Sequence, residues 1–174
     1  MDLFPPSGKG ALGMRTELSH WWRNFLGSGD EARHTALDIL RVRYVDEIVH
    51  AEKFKQHAGE IHYPQFRERL LRIAAEETEH AGLLAKKIIA LGGKLPEVTK
   101  QGASTDQSSW QRLLGDLDEE DLCAGELMAQ VWAVQTDYPN IAALLEQISK
   151  DEKKHRDEIR AMLMRSDAFA GSLA

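Results

Sequence analysis

Apolar residues recur at steps of three and four along most of the chain. Leu40, Tyr44, Glu47, Ala51, Phe54 and Ala58 fall on one helical face. Phe66, Leu70, Ile73, Glu77, His80, Leu84 and Ile88 repeat the rhythm. Leu113, Leu117, Glu120, Ala124, Leu127, Val131 and Val134 form a third stripe, and Ile141, Leu145, Ile148, Glu152, His155, Ile159 and Met162 a fourth. No stretch alternates with period two, and no Asn-Gly or Asp-Gly turn separates apolar runs, so the pattern predicts an all-α chain.

Start and stop signals divide the four stripes. Ser28 with Glu31 three residues on has capping-box spacing and predicts the start of the first long helix. Gly59 is expected to end it, and Pro64 suits the first turn of the second. Gly92-Gly93 closes the second, and Pro139 separates the third from the fourth. Short connections make the first pair and the last pair antiparallel hairpins. The polar stretch from Gly92 to Ser108 can reach about 50 Å at ~3.3 Å per residue, enough to cross a bundle end to end. The expected organisation is an N-terminal extension with a short amphipathic helix (residues 1–27), a four-helix bundle (28–165) and a tail (166–174). Tyr63-Pro64 precedes Glu77-x-x-His80 at the spacing by which Tyr138-Pro139 precedes Glu152-x-x-His155, so the halves read as copies of one hairpin.

Composition narrows the function. The 174 residues carry 22 basic and 28 acidic side chains, a net charge of −6, which argues against a basic nucleic-acid surface. One cysteine excludes a disulfide scaffold and a cysteine zinc site. No apolar run approaches the ~18–20 residues of a membrane span, and the first residues lack the pattern of a secretory signal. A cytoplasmic setting is expected.

The chemistry lies in acids placed on apolar stripes. A Glu-x-x-His on a helix sets a carboxylate and an imidazole one turn apart on one face, where both reach one metal. With 16 Glu and 7 His, chance gives fewer than one such spacing. The chain has five: Glu17/His20, Glu31/His34, Glu47/His50, Glu77/His80 and Glu152/His155. Position distinguishes them, because Glu77 and Glu152 interrupt core stripes at matching places in the repeat. Glu47 and Glu120 interrupt the other two stripes. Residues 47 and 77 are equidistant from position 62, in the first turn, and residues 120 and 152 from position 136, beside the second. Four glutamates and two histidines therefore converge near mid-bundle, where unpaired carboxylates are costly and two metal ions would balance them.

These residues carry a family resemblance over residues 30–165. Glu76-Glu77-Thr78-Glu79-His80 and the stretch from Leu144 to His155 resemble rubrerythrin and bacterioferritin sequences. One Glu from each of two helices plus Glu-x-x-His from the other two is the pattern of ferritin-like di-iron carboxylate proteins. The resemblance implies a ferritin-like four-helix bundle with Glu77 and Glu152 bridging two iron ions. Glu47 and Glu120 would be terminal carboxylates, His80 and His155 would ligate one ion each, and Glu76 and Asp151 would orient the opposite histidine. Manganese or a mixed Mn/Fe pair suits the same donors. The implied activity is oxidation of a di-Fe(II) centre by peroxide or dioxygen, with Glu47, Glu77, Glu120 and Glu152 at the reacting site. Iron storage through a ferroxidase, or hydroxylation of an organic substrate, are the alternatives, and a metal-free helical interaction module is a third.

The departures matter. Rubrerythrins carry a four-cysteine rubredoxin domain, so the electron donor here is expected to be a separate protein. They also place a Glu one turn after the third helix's ligand, where this chain has Cys123, which reads as a small buried hydrophobe. Glu52 and Glu126 compete with Glu47 and Glu120 but lie off the stripes. His50 is a possible added ligand, Tyr44 a packing residue or a participant near the metals, and His57 and His62 are expected in solvent. The run Asp116–Asp121 reads mostly as the N-terminal half of a helix, which favours negative charge, with Glu120 turned inward. Met14, Leu18, Trp21, Trp22, Phe25 and Leu26 form a stripe suited to docking on the bundle or on a second copy in a homodimer or larger homo-oligomer. A membrane-surface role would suit demethoxyubiquinone hydroxylases, which Leu40–Ile48 resembles loosely.

Overall fold

The computed structural model describes residues 11–99 and 108–166, with side chains from residue 29 onward. Four helices account for nearly all of it: α1 (Ala11–Glu60), α2 (Pro64–Ala90), α3 (Ser109–Val134) and α4 (Pro139–Leu163). There is no strand among the described residues. The all-α bundle expected from the four stripes is what forms.

One boundary differs. The helix expected to begin at Ser28 runs without a break from Ala11 to Glu60. A helix-interior glycine costs about 1 kcal/mol but removes no backbone donor, so Gly27 and Gly29 weaken the helix without ending it. The N-terminal segment is helical as expected, yet continuous with α1. The use of its Trp-rich stripe, and the C-terminal tail beyond residue 166, lie outside the described residues.

The other ends follow from local chemistry. α2 and α4 each open with proline in the first turn after a tyrosine, Tyr63 or Tyr138, whose carbonyl accepts the first helical bonds. α3 opens on a capping box in which Ser108 and Gln111 satisfy each other's backbone N–H. α2 closes at Gly92, whose φ of +74° lets Gly93 N–H reach back to the Ile88 carbonyl. A Cβ at Gly93 would stand 2.5 Å from Leu37 Cδ2, so this turn is pressed against α1.

Neighbouring helices are antiparallel. α1 packs on α2 and α3 on α4, while α1 also touches α3 and α2 touches α4. Ion pairs fix the two cross-hairpin registers: Arg43 with Glu126 and Glu60 with Arg112 between α1 and α3, Arg69 with Glu158 and Glu76 with His155 between α2 and α4. Arg33 donates to the Leu91 carbonyl at one end of the bundle, whereas Ser109 meets His62 at the other. The α2–α3 connection therefore spans the full length of the bundle, about 40 Å for a helix of this size. Residues 100–107 of it lie outside the described part.

The core is split in two. One apolar cluster includes Leu37, Leu40, Leu84, Ile88, Leu127, Val131, Leu145 and Ile148. The other includes Phe54, Phe66, Leu70, Ile73, Leu113, Ile159 and Met162. On every helix the break between the clusters falls at the glutamates, so the apolar layers clamp a polar waist.

Candidate metal centre

Each helix supplies the waist from its own stripe: Glu47 from α1, Glu77 and His80 from α2, Glu120 from α3, Glu152 and His155 from α4. All six side chains are buried, Glu77 completely. Their donor atoms form two groups. Glu47, Glu77, His80 and Glu152 lie within 4.8 Å of one another, as do Glu77, Glu120, Glu152 and His155. Glu77 and Glu152 belong to both. The structure thus brings together all six residues that the stripes single out, with the expected pair in the shared position.

The histidines are aimed. Nδ1 of each ring faces the carboxylates: His80 Nδ1 is 3.3 Å from Glu47 and 3.6 Å from Glu77, and His155 Nδ1 is 2.9 Å from Glu77 and 3.8 Å from Glu152. These approaches are close but not aligned as hydrogen bonds, so both Nδ1 atoms lack a hydrogen-bond partner. The far nitrogen, Nε2, turns to an acid of the opposite hairpin. His155 meets Glu76 at 2.9 Å and His80 meets Asp151 at 3.5 Å. An acid behind the ring fixes its orientation and raises the basicity of the inward nitrogen.

Electrostatics show what the waist lacks. Burial, with the Glu77 carboxylate beside it, raises the Glu47 carboxyl well above its usual range. Burial and the neighbouring Glu152 push Glu120 up to about 12. For Glu77 burial also acts upward, but contacts with Glu47, His155 and His80 outweigh it and hold the group low. Burial would lower both imidazoles, yet the carboxylates raise His80 to about 10 and His155 to about 11. Protons therefore balance the metal-free charges. Both oxygens of Glu77 and of Glu120, and one each of Glu47 and Glu152, have no hydrogen-bond partner. Orphaned buried carboxylate oxygens facing inward nitrogens are what divalent-metal ligation by O and N donors requires, so the residues fit a pair of ions.

The remaining candidates separate cleanly. Glu126 is 68% exposed and accepts from Arg43 at 2.8 Å, and Glu52 sits at the surface beside Lys55, so neither faces the waist. Glu31 and His34 are exposed, and the side chains of Glu17 and His20 lie outside the described residues. Tyr44 packs against the first apolar cluster. Cys123 is half-buried, and burial pushes its thiol up. His50 Nδ1 stands 3.8 Å from Glu120 Oε1.

One expectation fails. His62 is exposed as expected, but His57 is buried and bonded through Nδ1 to Asp116 at 2.9 Å. Asp116 is buried as well and also holds Lys53 at 3.0 Å. Asp116 lies one turn before Glu120, so the same stripe that turns Glu120 inward turns it in as well. Arg43 and Arg112, likewise buried, pair with Glu126 and Glu60. The signal for them was their place at the stripe edges, where α1 and α3 meet.

Comparison with known proteins agrees with the four-helix fold. A family model described as a ferritin-like domain matches residues 48–168, starting one residue after Glu47. A 3-demethoxyubiquinol 3-hydroxylase from Paracidovorax citrulli (strain AAC00-1) is 27% identical over 139 residues, 74% of this chain and 67% of the relative. Among solved structures, Mycobacterium tuberculosis bacterioferritin superposes with a TM-score of 0.68 at 19% identity, covering 79% of this chain and 89% of that one. The Desulfovibrio desulfuricans bacterioferritin, described with a diiron site, gives 0.70 at 20% identity over 83% and 85%. Dps from Thermosynechococcus elongatus gives 0.68 at 16% identity over 84% and 99%.

Proposed function

The chain belongs to the ferritin-like domain family, and on that premise we propose that it is a non-haem di-iron oxidoreductase whose ferrous centre is oxidised by peroxide or dioxygen. The observation that carries this reading is the pair of four-residue groups sharing Glu77 and Glu152. In it Glu77 and Glu152 would be shared by two ions, with Glu47 and His80 completing one half and Glu120 and His155 the other. When bound, two iron ions would supply redox chemistry toward an oxygen species. The protein's part is positional. Glu76 and Asp151 hold the imidazoles with Nδ1 inward, and the two apolar clusters keep water from the waist. Manganese or a mixed pair would suit the same donors.

Two further readings rest on the relatives. Likeness to bacterioferritins and Dps favours a ferroxidase that feeds an iron store, which requires a homo-oligomer enclosing a cavity. The hydroxylase relative favours an organic substrate. No helix among the described residues is long and apolar enough to cross a membrane. With one cysteine in the chain, reducing electrons come from a separate donor protein in the oxidoreductase reading.

The test is to load the full chain anaerobically with Fe(II) and follow its near-ultraviolet ferric band after mixing with hydrogen peroxide or dioxygen. Faster oxidation by peroxide supports a peroxidase-like role, and faster oxidation by dioxygen an oxidase or ferroxidase role. Absence of a ferric band with either oxidant overturns the proposal. Light scattering on the same sample separates the storage reading, which needs a large shell, from a dimer.

A further inference from the structure

The halves of the waist are not equivalent. His80 Nδ1 reaches both the terminal Glu47 and the shared Glu77, at 3.3 and 3.6 Å. His155 Nδ1 lies 2.9 Å from Glu77 and 3.8 Å from Glu152, but its ring nitrogens have no ion-pair contact with the terminal Glu120. Glu47 keeps one orphaned oxygen, whereas Glu120 keeps two while being 1% exposed. A His155 nitrogen stands within 4.8 Å of a Glu120 oxygen, and a nearer one comes from α1: Nδ1 of His50, 3.8 Å from Oε1, on a side chain only 12% exposed.

That distance has a chemical meaning. It is too long for a hydrogen bond. Two donors on one ion, each about 2.1 Å from it, stand about 3.0 Å apart at a right angle and about 4.2 Å when opposed. His50 and Glu120 fall inside that interval. The repeat supplies a contrast. Three residues after the terminal glutamate α1 carries His50, whereas α3 carries Cys123. The Arg43 guanidinium acts electrostatically on the Cys123 thiol, and a fixed cation there opposes a second one.

We infer that His50 is an auxiliary nitrogen donor to the Glu120 half, so that the two ions bind in distinct steps and only the step that fills the Glu120 half depends on His50. This inference rests on the two-ion reading above and goes beyond it by assigning an added ligand. Cys123 takes no part in either step.

The test is anaerobic Co(II) titration of the full chain, followed by calorimetry and by the visible absorption of bound Co(II). The wild type is expected to show two steps. His50→Ala is expected to leave one step unchanged and weaken the other by about 10- to 100-fold, with altered Co(II) absorption in that step only. His50→Gln, which could hold Glu120 by a hydrogen bond but provides no imidazole, is expected to behave like His50→Ala, and Cys123→Ser like the wild type. Circular dichroism of each metal-free variant checks the fold. Two unchanged steps in His50→Ala, or full rescue by His50→Gln, would overturn the inference while leaving the two-ion reading intact. No Co(II) binding by the wild type would overturn both.

Discussion

Two sets of buried charges meet where α1 faces α3, and they follow opposite plans. At the flanks every buried charge has an opposite partner: Arg43 with Asp46 and Glu126, Asp116 with Lys53 and His57, Arg112 with Glu60, all within 3.3 Å. At the waist, four carboxylates face one another and two imidazoles, and much of their hydrogen-bonding capacity is unused. The flanks even follow the internal repeat with charges exchanged. Arg43 and Asp116 each stand four residues before a terminal glutamate, while Lys53 and Glu126 each stand six after one. A buried charge with a counter-charge in the protein holds helices together. A set of buried acids without enough counter-charge implies a cation from outside.

Breaking the two sets should therefore give different phenotypes. The largest effect is expected at the shared position. Glu77→Gln removes a donor from both groups, and affinity for both ions should fall by at least about 100-fold. The metal-free variant should also unfold at lower urea concentration, because the Glu77 carboxylate is the counter-charge to the raised His80 and His155 imidazoles. Retention of two tightly bound ions would break the comparison.

Next in size is the pH dependence of binding. Glu120, His80 and His155 titrate near 12, 10 and 11 in the metal-free protein, and Glu47 is raised as well. These groups hold protons at neutral pH that metal must displace, so affinity rises as pH rises. Between pH 6 and 7 Co(II) binding should tighten by about tenfold for each proton displaced. Calorimetry in buffers of different ionisation enthalpy counts those protons, and affinity independent of pH would contradict the proton balance.

At the flanks, Asp116→Asn should separate stability from metal binding. It leaves Lys53 and His57 short of a partner and should cost about 1–3 kcal/mol in urea unfolding of the metal-free chain. The loss is moderated because Lys53 is partly exposed. Two ions should still bind, and loss of either would mean that the flank belongs to the metal centre. Smallest of all, the surface substitution Glu52→Gln should leave metal content unchanged and stability within about 0.5 kcal/mol.

Much of this was legible in the sequence because helical periodicity records burial directly. Leu70, Ile73, Glu77, His80 and Leu84 lie on one face whatever the neighbours do, so an acid on that line is an acid in the core. Turn prolines set the registers that bring Glu47 level with Glu77 and Glu120 level with Glu152. Less legible was anything decided at the edges of the stripes. His57 and Asp116 belong to the α1/α3 contact, and only the packing of one helix on the other shows which edge positions are covered. The Ser28 boundary misled for a related reason. A capping box is a local option, and a continuous helix removes the free N–H groups it would satisfy. The inequivalence of the two halves was legible only as His50 against Cys123 in the repeat, because the rest depends on distances between residues far apart in sequence.

The most direct test of the central claim is the metal content of the full chain after anaerobic loading with Fe(II) and removal of excess ion. The paired groups at Glu77 and Glu152 predict two irons per chain, falling together in Glu77→Gln. A content of zero or one in the wild type would contradict the account and make the buried acids of the waist structural.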